Sequence, residues 1–341
     1  MRKIPVKRFR RCVYPGISLF LFCVSLYGFL SYAILGRFER DDAVIRNHLL
    51  TRGELISPLN TPSNTNLSEH FDPGNAQVSE RIPRIIHQTF SNNSVPENWA
   101  HAYYSCQEIH KVGNWTHIHW TDDTSRAFLK ESYPWFLQVY DRYPYAIQRA
   151  DAIRYFVLYH FGGIYLDLDI GCRRPPTPLL QFDAVFPKTK PYGVSNDMMA
   201  TAKGHDFFKR LITTLESHSH RLGTKYPTVM FSTGPVFVSR QLSRYLKDKL
   251  PQQLIESHSS ARDQCTVRIA PSEFYDSTEQ SFFTHYPGSS WHSWDVWLII
   301  LLCRNRYKIL VIVIFAVVLF RYQQRFTLKI RPLDNKQYYR C

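Results

Sequence analysis

The chain has 341 residues and a formal net charge of +14 at pH 7. This length is enough for one sizeable catalytic domain with appendages. The positive charge is concentrated at the ends, because residues 1–11 hold six Lys and Arg residues and residues 304–341 hold nine against the single acid Asp334. The part between these segments is formally neutral, so the net charge gives no support to a nucleic-acid-binding function.

The N-terminal part of the chain has the pattern of a membrane anchor. The basic segment 1–11 precedes 24 residues without a charge, residues 12–35. An uncharged run of this length can cross a bilayer as a tilted helix, and the positive-inside rule places the basic segment in the cytosol. No small-residue cleavage site follows the run, so we expect an uncleaved transmembrane signal anchor; a cleaved signal peptide is the alternative.

A luminal stem is predicted over residues 36–80. Its segment 57–66 is rich in Ser, Pro, Asn and Thr, a composition that favours turns and linkers. Three Asn-x-Ser/Thr tripeptides follow the anchor, and they make Asn66, Asn92 and Asn114 candidate glycosylation sites. We therefore expect a protein of the Golgi membrane with a luminal catalytic domain; the endoplasmic reticulum is the alternative.

Three of the seven cysteines, Cys106, Cys172 and Cys265, lie in the region expected to be luminal. At most one disulfide can form among three cysteines, and the sequence leaves the pairing open. No Cys/His spacing typical of a zinc site is present in the sequence.

The catalytic domain is expected to span residues 81–295. Residues 82–89 have the pattern of an opening strand with a proline near its start, and residues 115–120 alternate as a second strand. Further elements are predicted as a strand over residues 183–186, a helix over residues 205–221 with an apolar stripe, and a helix over residues 236–246 after a Thr-Gly-Pro turn.

Between these elements, apolar residues recur near the helical period over residues 147–161. Gly162 and Gly163 follow, where a helix end needs residues free to take the left-handed conformation. Asp151 and Arg154 are three residues apart and therefore neighbours on one helix face. An exposed salt bridge worth about 0.3–0.5 kcal/mol is the simplest interpretation of this pair.

Residues 164–170 then alternate strictly, which predicts a strand with Tyr165, Asp167 and Asp169 on one face. With a rise of about 3.3 Å per residue, the two carboxylates would lie roughly 7 Å apart. Two solvated aspartates at a strand end are one interpretation. The other is a cation site, for which the hard carboxylate oxygens favour Mg²⁺ or Mn²⁺.

The C-terminal part holds a second apolar run. Residues 309–320 form 12 apolar residues between basic ones, fewer than the usual membrane-spanning helix needs. We expect residues 296–322 to form a membrane segment, preferably a span that returns the basic tail 323–341 to the cytosol. A re-entrant hairpin and an interfacial segment are the alternatives.

Two adjacent segments carry a resemblance to a known family. Residues 149–155 read R-A-D-A-I-R-Y, and residues 162–169 read G-G-I-Y-L-D-L-D. This combination resembles the R-A-D-x-x-R-Y and G-G-x-Y-x-D-x-D patterns of the family 32 glycosyltransferases, and it is similar to the glucosylating clostridial toxins. Residues 285–292, H-Y-P-G-S-S-W-H, followed closely by an apolar segment, look most like the fungal mannosyl-inositol-phosphorylceramide synthases.

The resemblance covers residues 81–295 and implies an α/β sandwich of the GT-A type with a mostly parallel central sheet. It implies catalytic roles for Asp151, Arg154, Asp167 and Asp169, and a Mn²⁺ or Mg²⁺ ion held by Asp167, Asp169 and His285. It also favours a contact in which Asp151 accepts from hydroxyls of the donor sugar while Arg154 holds it in place, instead of the surface salt bridge. The donor-binding residues that it implies are His87, Gln88, Asp151, Arg154, Tyr165, Asp167, Asn196, Asp197, Ser290, Trp291 and His292.

The function that the resemblance implies is a retaining transfer of mannose from GDP-mannose to inositol phosphorylceramide, a sphingolipid. A catalytic domain that ends near a membrane-active segment would keep its site close to such a lipid. Another family 32 activity, with a mannosyl group transferred to N-glycans or a galactosyl group to a glycan or lipid, is the first alternative. A non-catalytic partner of an active transferase is the second. A membrane regulatory subunit is a further candidate partner, and no nucleic acid is expected.

Overall fold

A computed structural model describes residues 32–33, 35–51, 54, 79–109, 111, 113–255, 267–288 and 293–329. Most of the predicted N-terminal anchor, the predicted site residues Ser290, Trp291 and His292, and the glycosylation candidate Asn66 lie outside the described residues. The chain divides into a compact unit of residues 38–295 and a second unit that contains residues 1–37 and 296–341. The site described below belongs to the compact unit.

Six strands of the described chain form one sheet in the order β2-β1-β3-β6-β5-β7. These strands are β1 (Ile85–Thr89), β2 (Thr116–Trp120), β3 (Gly163–Leu166), β5 (Ala184–Pro187), β6 (Met198–Thr201) and β7 (Val267–Ala270). Parallel pairing joins β1 to β2, β1 to β3 and β5 to β7, whereas β6 is antiparallel to both of its neighbours. Five of the six strands therefore run the same way, and the predicted α/β fold with a mostly parallel sheet is confirmed.

A second, two-stranded sheet pairs β4 (Ile170–Cys172) with β8 (Phe283–His285). The described helices are α1 (residues 35–46), α2 (Glu97–Ile109), α3 (Asp122–Ser132), α4 (Pro134–Arg142), α5 (Ala146–Phe161), α6 (Asp206–Thr214), α7 (Lys225–Ser232), α8 (Pro235–Ile255), α9 (Trp294–Arg304) and α10 (Arg306–Lys329). The predicted helix over residues 205–221 is shorter than expected, because a 3₁₀ turn over Glu216–His218 follows α6.

Both faces of the large sheet are covered. Along β3, Tyr165 packs into one hydrophobic core, while Ile164 and Leu166 pack into the other. The main covering helix is α5, and nine of its residues are buried. A helix buried on nearly all sides has little amphipathic contrast, which explains why only the spacing of its apolar residues was visible in the sequence.

The predicted glycine pair ends α5 as expected. Gly162 and Gly163 have φ angles of +72° and +101°, values that residues with a side chain rarely adopt. A Cβ atom at Gly163 would lie 2.5 Å from the carbonyl oxygen of Ile85. The glycine therefore allows β3 to approach β1 immediately after the helix.

The prediction of one strand over residues 164–170 is wrong. Strand β3 ends at Leu166, and the amide of Ile170 donates to the carbonyl oxygen of Asp167 (3.0 Å), which closes a tight turn before β4 begins. The alternation of the sequence continues through this turn because Leu168 and Ile170 are both buried. Asp167 and Asp169 therefore flank a turn between two sheets, and they do not occupy one face of a strand. We call residues 167–169 the aspartate turn.

Part of the predicted stem belongs to the compact unit. Ile45 and Leu50 are buried, and Leu49 forms a β-bridge with Ile269 beside the last strand of the large sheet. The linker predicted from the polar composition of residues 57–66 lies outside the described part of the chain.

The open question of cysteine pairing is answered by a disulfide between Cys106 and Cys172, 66 residues apart in sequence. It joins α2 to β4, the strand that follows the aspartate turn.

The predicted C-terminal span is not supported. Helix α10 encloses the apolar run 309–320 between basic residues. Within the described ranges, no helix has both the length and the apolar character that crossing a membrane requires.

Candidate active site

The aspartate turn lies in the wall of a cavity with a volume of about 500 Å³. The turn follows β3, and the residues after β1 and β2 lie in the same wall. Ligands of open α/β sheets bind at the carboxyl ends of the parallel strands, where this cavity lies. The lining residues are Thr89, Phe90, Ser91, Trp99, Trp120, Asp122, Ser125, Tyr140, Pro144, Tyr145, Ala146, Ile147, Ala150, Ile153, Arg154, Asp167, Leu168, Asp169 and Lys225.

Arg154 connects α5 to the aspartate turn. Its guanidinium lies 3.1 Å from Asp151 Oδ1 and 3.1 Å from Asp167 Oδ1, and only 2% of its side chain is exposed. It also donates to the carbonyl oxygens of Ala150 (3.1 Å) and Asn196 (2.7 Å). The interpretation of an exposed helix salt bridge is therefore wrong, because the pair is buried and reaches a third residue.

Asp151 holds Arg154 from within the protein. Its two carboxylate oxygens accept from the Asn196 side-chain amide (2.9 Å) and from the Thr233 hydroxyl (2.9 Å). Burial raises the pKa of Asp151, while Arg154 and the two donors act against this rise. Asp151 is buried and does not line the cavity, so the structure gives it the place of a positioning residue; the predicted contact with sugar hydroxyls is not supported.

Tyr165 fixes the other side of Asp167. Its hydroxyl donates to Asp167 Oδ1 (2.7 Å) and accepts from the Thr89 hydroxyl (2.7 Å). Its ring lies under the guanidinium of Arg154, 4.6 Å from the centroid, in a cation–π contact. Asp167 Oδ1 is therefore held by two donors that are themselves buried.

His87 and Gln88 do not occupy the predicted position against a nucleotide. The His87 ring is buried; it donates from Nε2 to the carbonyl oxygen of Gly162 (2.9 Å) and accepts at Nδ1 from the indole of Trp120 (3.1 Å). Burial lowers the pKa of His87 to about 4, so the ring is neutral at physiological pH. Gln88 is also buried, and neither side chain lines the cavity. Thr89, the next residue, does.

The carboxylates near the turn affect one another. Burial is the main cause that raises the pKa of Asp167 to about 7, and the charges of Asp197 and Asp169 add to it, against Arg154 and Tyr165. Burial and Asp197 also raise the pKa of Asp169. Asp197 accepts from the Tyr275 hydroxyl at one oxygen, while its buried Oδ1 has no hydrogen-bond partner.

This donor set fits a divalent cation. Mg²⁺ or Mn²⁺ would stabilise carboxylate oxygens that repel one another, and also a buried carboxylate oxygen that has no hydrogen-bond donor. In the described parts of the chain, no three His, Cys, Asp or Glu side chains are already grouped around one ion position. The prediction of His285 as a third ligand is not supported at Nε2, which donates to the carbonyl oxygen of Tyr275 (2.9 Å).

Asn196 and Asp197 contact residues of the site from within the protein and do not face the cavity. The Asn196 amide donates to Asp151 and to the Tyr155 hydroxyl (2.9 Å each), and the carbonyl oxygen of Asp197 accepts from the amide of Asp167 (2.8 Å). Neither residue lines the cavity. Their predicted contact with the donor sugar is therefore not supported, although both stabilise the residues around the aspartate turn.

The segment after β8 reaches the aspartate turn. The amide of Tyr286 donates to the carbonyl oxygen of Asp169 (2.8 Å), and the indole of Trp99 donates to that of Pro287 (3.0 Å). A Cβ atom at Gly288 would overlap Asp169 Oδ2, so a larger residue at this position would displace the Asp169 carboxylate.

Several cavity residues could not be found from the sequence. Trp99, Tyr145 and Lys225 come from three separate segments and belong to no motif that the sequence displays. Lys225 begins α7, and its ammonium lies 5.9 Å from the centroid of the Tyr145 ring. Only the tertiary fold brings these residues to the aspartate turn.

Comparisons with known proteins agree with this geometry. Residues 96–186 match the family described as "Glycosyltransferase sugar-binding region containing DXD motif", and the aspartate turn lies within the match. The chain is 40% identical over 252 residues to "Inositol phosphoceramide mannosyltransferase 1" of Schizosaccharomyces pombe, an alignment that covers 73% of this chain and 75% of that protein. The chain belongs to the inositol phosphoceramide mannosyltransferase family. The resemblance inferred from the two motifs is thereby confirmed.

For other members of the inositol phosphoceramide mannosyltransferase family, the alignment covers a smaller share of the relative's own length. "Mannosyl phosphorylinositol ceramide synthase SUR1" of Saccharomyces cerevisiae is 40% identical over 226 residues, which cover 66% of this chain and 56% of that protein. Among solved structures, "PaToxG Glycosyltransferase" aligns with 52% of this chain and 75% of its own at 20% identity and a TM-score of 0.38, too low to define a shared fold.

Proposed function

We propose that this protein is a metal-dependent, retaining mannosyltransferase that transfers mannose from GDP-mannose to inositol phosphoceramide. The observation that carries the proposal is the aspartate turn, which Arg154 and Tyr165 hold in the wall of a cavity of about 500 Å³. The relatives named inositol phosphoceramide mannosyltransferase support the choice of sugar and acceptor. The mixed sheet, with only β6 reversed, supports a GT-A type of fold.

Asp167 and Asp169 would hold the cation, Mn²⁺ or Mg²⁺. When bound, such an ion neutralises charge on a departing diphosphate and so acts as a Lewis acid. Arg154 and Tyr165 orient Asp167 before any ligand binds, since both donate to Oδ1 from buried positions. This preorganisation avoids a reorganisation cost during the reaction.

The proposed reaction is a substitution on one face of the sugar. The bond between the anomeric carbon and the diphosphate oxygen breaks, the bond to the acceptor hydroxyl oxygen forms, and the hydroxyl proton passes to the leaving phosphate. Asp151, the carboxylate nearest to Arg154 in sequence, has both oxygens bound within the protein. It is therefore unsuited to act as a covalent nucleophile.

We further propose that the compact unit lies in the lumen of the Golgi. A disulfide such as Cys106–Cys172 persists in oxidising compartments, and the glycosylation candidates Asn92 and Asn114 are both exposed. An N-terminal anchor over residues 12–35 would attach the protein to the membrane in which the lipid acceptor resides. A membrane regulatory subunit remains a prediction that co-purification from solubilised membranes would test.

A donor–acceptor matrix tests the proposed function. Membranes containing the protein receive labelled GDP-mannose, UDP-galactose or UDP-N-acetylglucosamine with Mn²⁺, each with and without inositol phosphoceramide. We expect label to pass from GDP-mannose to the lipid, and this transfer to stop when EDTA removes the metal.

The Asp167→Asn variant should abolish the transfer, whereas Asp248→Asn, an exposed carboxylate of α8, should not alter it. Transfer from another donor, or to a glycan instead of the lipid, would contradict the proposed substrates. Wild-type rates for Asp167→Asn would contradict the role of the turn.

A further inference from the structure

A second, smaller cavity of about 370 Å³ lies in the same compact unit and has no role in the function proposed above. Its volume is within the range of roughly 300–1,000 Å³ that ligand pockets have. It is enclosed by α1, the loop before β6, α7 and the first turns of α8. The lining residues are Phe38, Asp41, Asp42, Ile45, Thr189, Lys190, Pro191, Tyr192, Gly193, Val194, Ser195, Tyr226, Met230, Pro235, Val236, Ser239 and Arg240.

The carboxylates of this smaller cavity are already bound by the protein. Asp42 lies 2.9 Å from the Lys188 ammonium and 2.7 Å from the Arg46 guanidinium, and Asp41 accepts from Ser243 (2.8 Å) and lies 3.2 Å from the Lys247 ammonium. The lining that remains for a ligand is mostly apolar, with Phe38, Ile45, Val194, Met230 and Val236 as its aliphatic and aromatic part. Such a surface favours a hydrocarbon over a sugar or a nucleotide.

Helix α7 separates the two cavities. Lys225, its first residue, lines the larger cavity, and Tyr226 and Met230 line the smaller one. The linings of the two cavities therefore come within one residue of each other along the chain, at the start of this helix. A molecule with a polar head at Lys225 could therefore extend its apolar part into the smaller cavity.

Lys225 is suited to a phosphate. Its side chain is half-buried, and no carboxylate of the described residues is recorded within 4.0 Å of its ammonium. Arg154 is the other cation in the lining of the larger cavity, and it already contacts Asp151 and Asp167. Lys225 is therefore the cation of this lining that remains available to a ligand anion.

We propose that α7 is the element that binds the lipid acceptor: Lys225 contacts the lipid's phosphodiester, and the smaller cavity takes up one of its hydrocarbon chains. This inference rests on the proposed function, because it assumes a phospholipid-like acceptor. Charge supports it, since the phosphodiester is anionic and Lys225 forms no ion pair with a carboxylate of the described residues. The sequence supports it as well, because Phe38 follows the uncharged run 12–35 by three residues, which brings the cavity close along the chain to the predicted anchor.

A chain-length series tests the hydrocarbon site. Inositol phosphoceramide acceptors with progressively shorter N-acyl chains are compared in the wild type, in Val236→Trp and Met230→Trp, which fill the cavity, and in Leu222→Trp, an exposed control outside both cavities. We expect acceptor efficiency to rise with chain length in the wild type and in the control. In the two filled variants this rise should be lost, with an increase in acceptor KM of about tenfold for the longest chain.

Slow hydrolysis of GDP-mannose without acceptor serves as the check of folding and of the donor site. The rate of this hydrolysis should be the same in the wild type and in the three tryptophan variants. A filled variant that keeps hydrolysis and also keeps the full chain-length dependence overturns the hydrocarbon site. If a filled variant does not fold, photo-crosslinking of the wild type with a diazirine-tailed inositol phospholipid decides instead. Label on α7, α8 or the loop over residues 189–195 supports the site, and label confined to other segments overturns it.

The Lys225→Ala variant tests the phosphate contact, with Lys225→Arg as the conservative variant and Lys209→Ala, exposed on α6, as the control. A charge-assisted hydrogen bond is worth enough to raise the acceptor KM by about tenfold or more when it is lost. The KM for GDP-mannose should stay unchanged, and Lys225→Arg should recover most of the acceptor affinity.

An increase in the donor KM alone would assign Lys225 to the donor diphosphate and overturn the lipid contact. If the wild type transfers no mannose to any inositol phosphoceramide, the proposed function itself fails, whereas a wild type that transfers mannose without regard to chain length overturns only the hydrocarbon site.

Discussion

Arg154 contacts two carboxylates, Asp151 and Asp167, and two backbone carbonyl oxygens from within the protein. A buried guanidinium is tolerated only when its donors are paired, and here four contacts pair it. The same contacts set the direction in which Asp167 faces the cavity. One residue therefore links the stability of the domain to the geometry of its site.

The Arg154→Leu variant should be destabilised by about 3–5 kcal/mol, because it leaves the buried carboxylate of Asp151 and the half-buried carboxylate of Asp167 without their cation. Arg126→Leu is the matched control, since Arg126 pairs with Asp141 on the surface, where both side chains are more than 40% exposed. That variant should lose only about 0–1 kcal/mol. Urea unfolding of the detergent-solubilised proteins measures both values, and equal losses would contradict the buried network.

The raised pKa of Asp167 predicts how metal dependence changes with pH. A carboxyl group with a pKa of about 7 is largely protonated below that pH, and a cation must displace the proton in order to bind. The Mn²⁺ concentration for half-maximal transfer should therefore increase as the pH falls, by about tenfold from roughly pH 8 to pH 6. Titrations of activity with Mn²⁺ at the two pH values measure this ratio, and a constant half-saturating concentration would contradict it.

At this scale the sequence identified the central residues but not their contacts. The aspartates of the turn and Arg154 belong to motifs that a pattern can display. His87 was expected against a nucleotide, yet its partners Gly162 and Trp120 lie far away in sequence and hold it in the core. A polar residue near a strand end has the same appearance in a sequence whether it faces a ligand or the interior.

Among the elements, β3 and β4 show why the strand prediction failed. Strands β3 and β4 are buried at every position, and burial alternates only from Leu166 to Ile170, where Asp167 and Asp169 are partly exposed between buried apolar residues. The turn between them changes the direction of the chain without changing the period. The end of α5 at Gly162 and Gly163 was predictable, by contrast, because positive φ angles strongly favour glycine.

The disulfide between α2 and β4 should contribute strongly to stability. For a separation of 66 residues, the chain-entropy relation gives about 4 kcal/mol. The Cys106→Ser/Cys172→Ser double variant should therefore unfold at a clearly lower urea concentration than the wild type. Cys265→Ser is the control, because Cys106 and Cys172 pair with each other; a comparable loss in this control would contradict the pairing.

At the scale of the whole molecule, the apolar runs and the domain between them were visible in the sequence, and so was a mostly parallel sheet. The order of the strands was not, because the reversed β6 lies between β3 and β5, and pairing across such distances leaves no local pattern. The two cavities were also invisible, since their linings combine residues from many segments.

A luminal domain should carry N-glycans at Asn92 and Asn114, which are both exposed in Asn-x-Ser/Thr tripeptides. Endoglycosidase treatment should increase the electrophoretic mobility of the wild type. Each single change, Asn92→Gln or Asn114→Gln, should remove part of this shift. A wild-type protein that the enzyme does not alter would contradict the luminal location.

The aspartate turn is attached on both sides, to the large sheet through β3 and to the two-stranded sheet through β4, which the disulfide joins to α2. These attachments make the aspartate turn a fixed wall of the cavity. In the proposed reaction, any movement that releases the spent nucleotide would therefore involve the other walls. In a kinetic experiment, substitutions in those walls would change the rate of nucleotide release, while substitutions at the turn would change the rate of the chemical step.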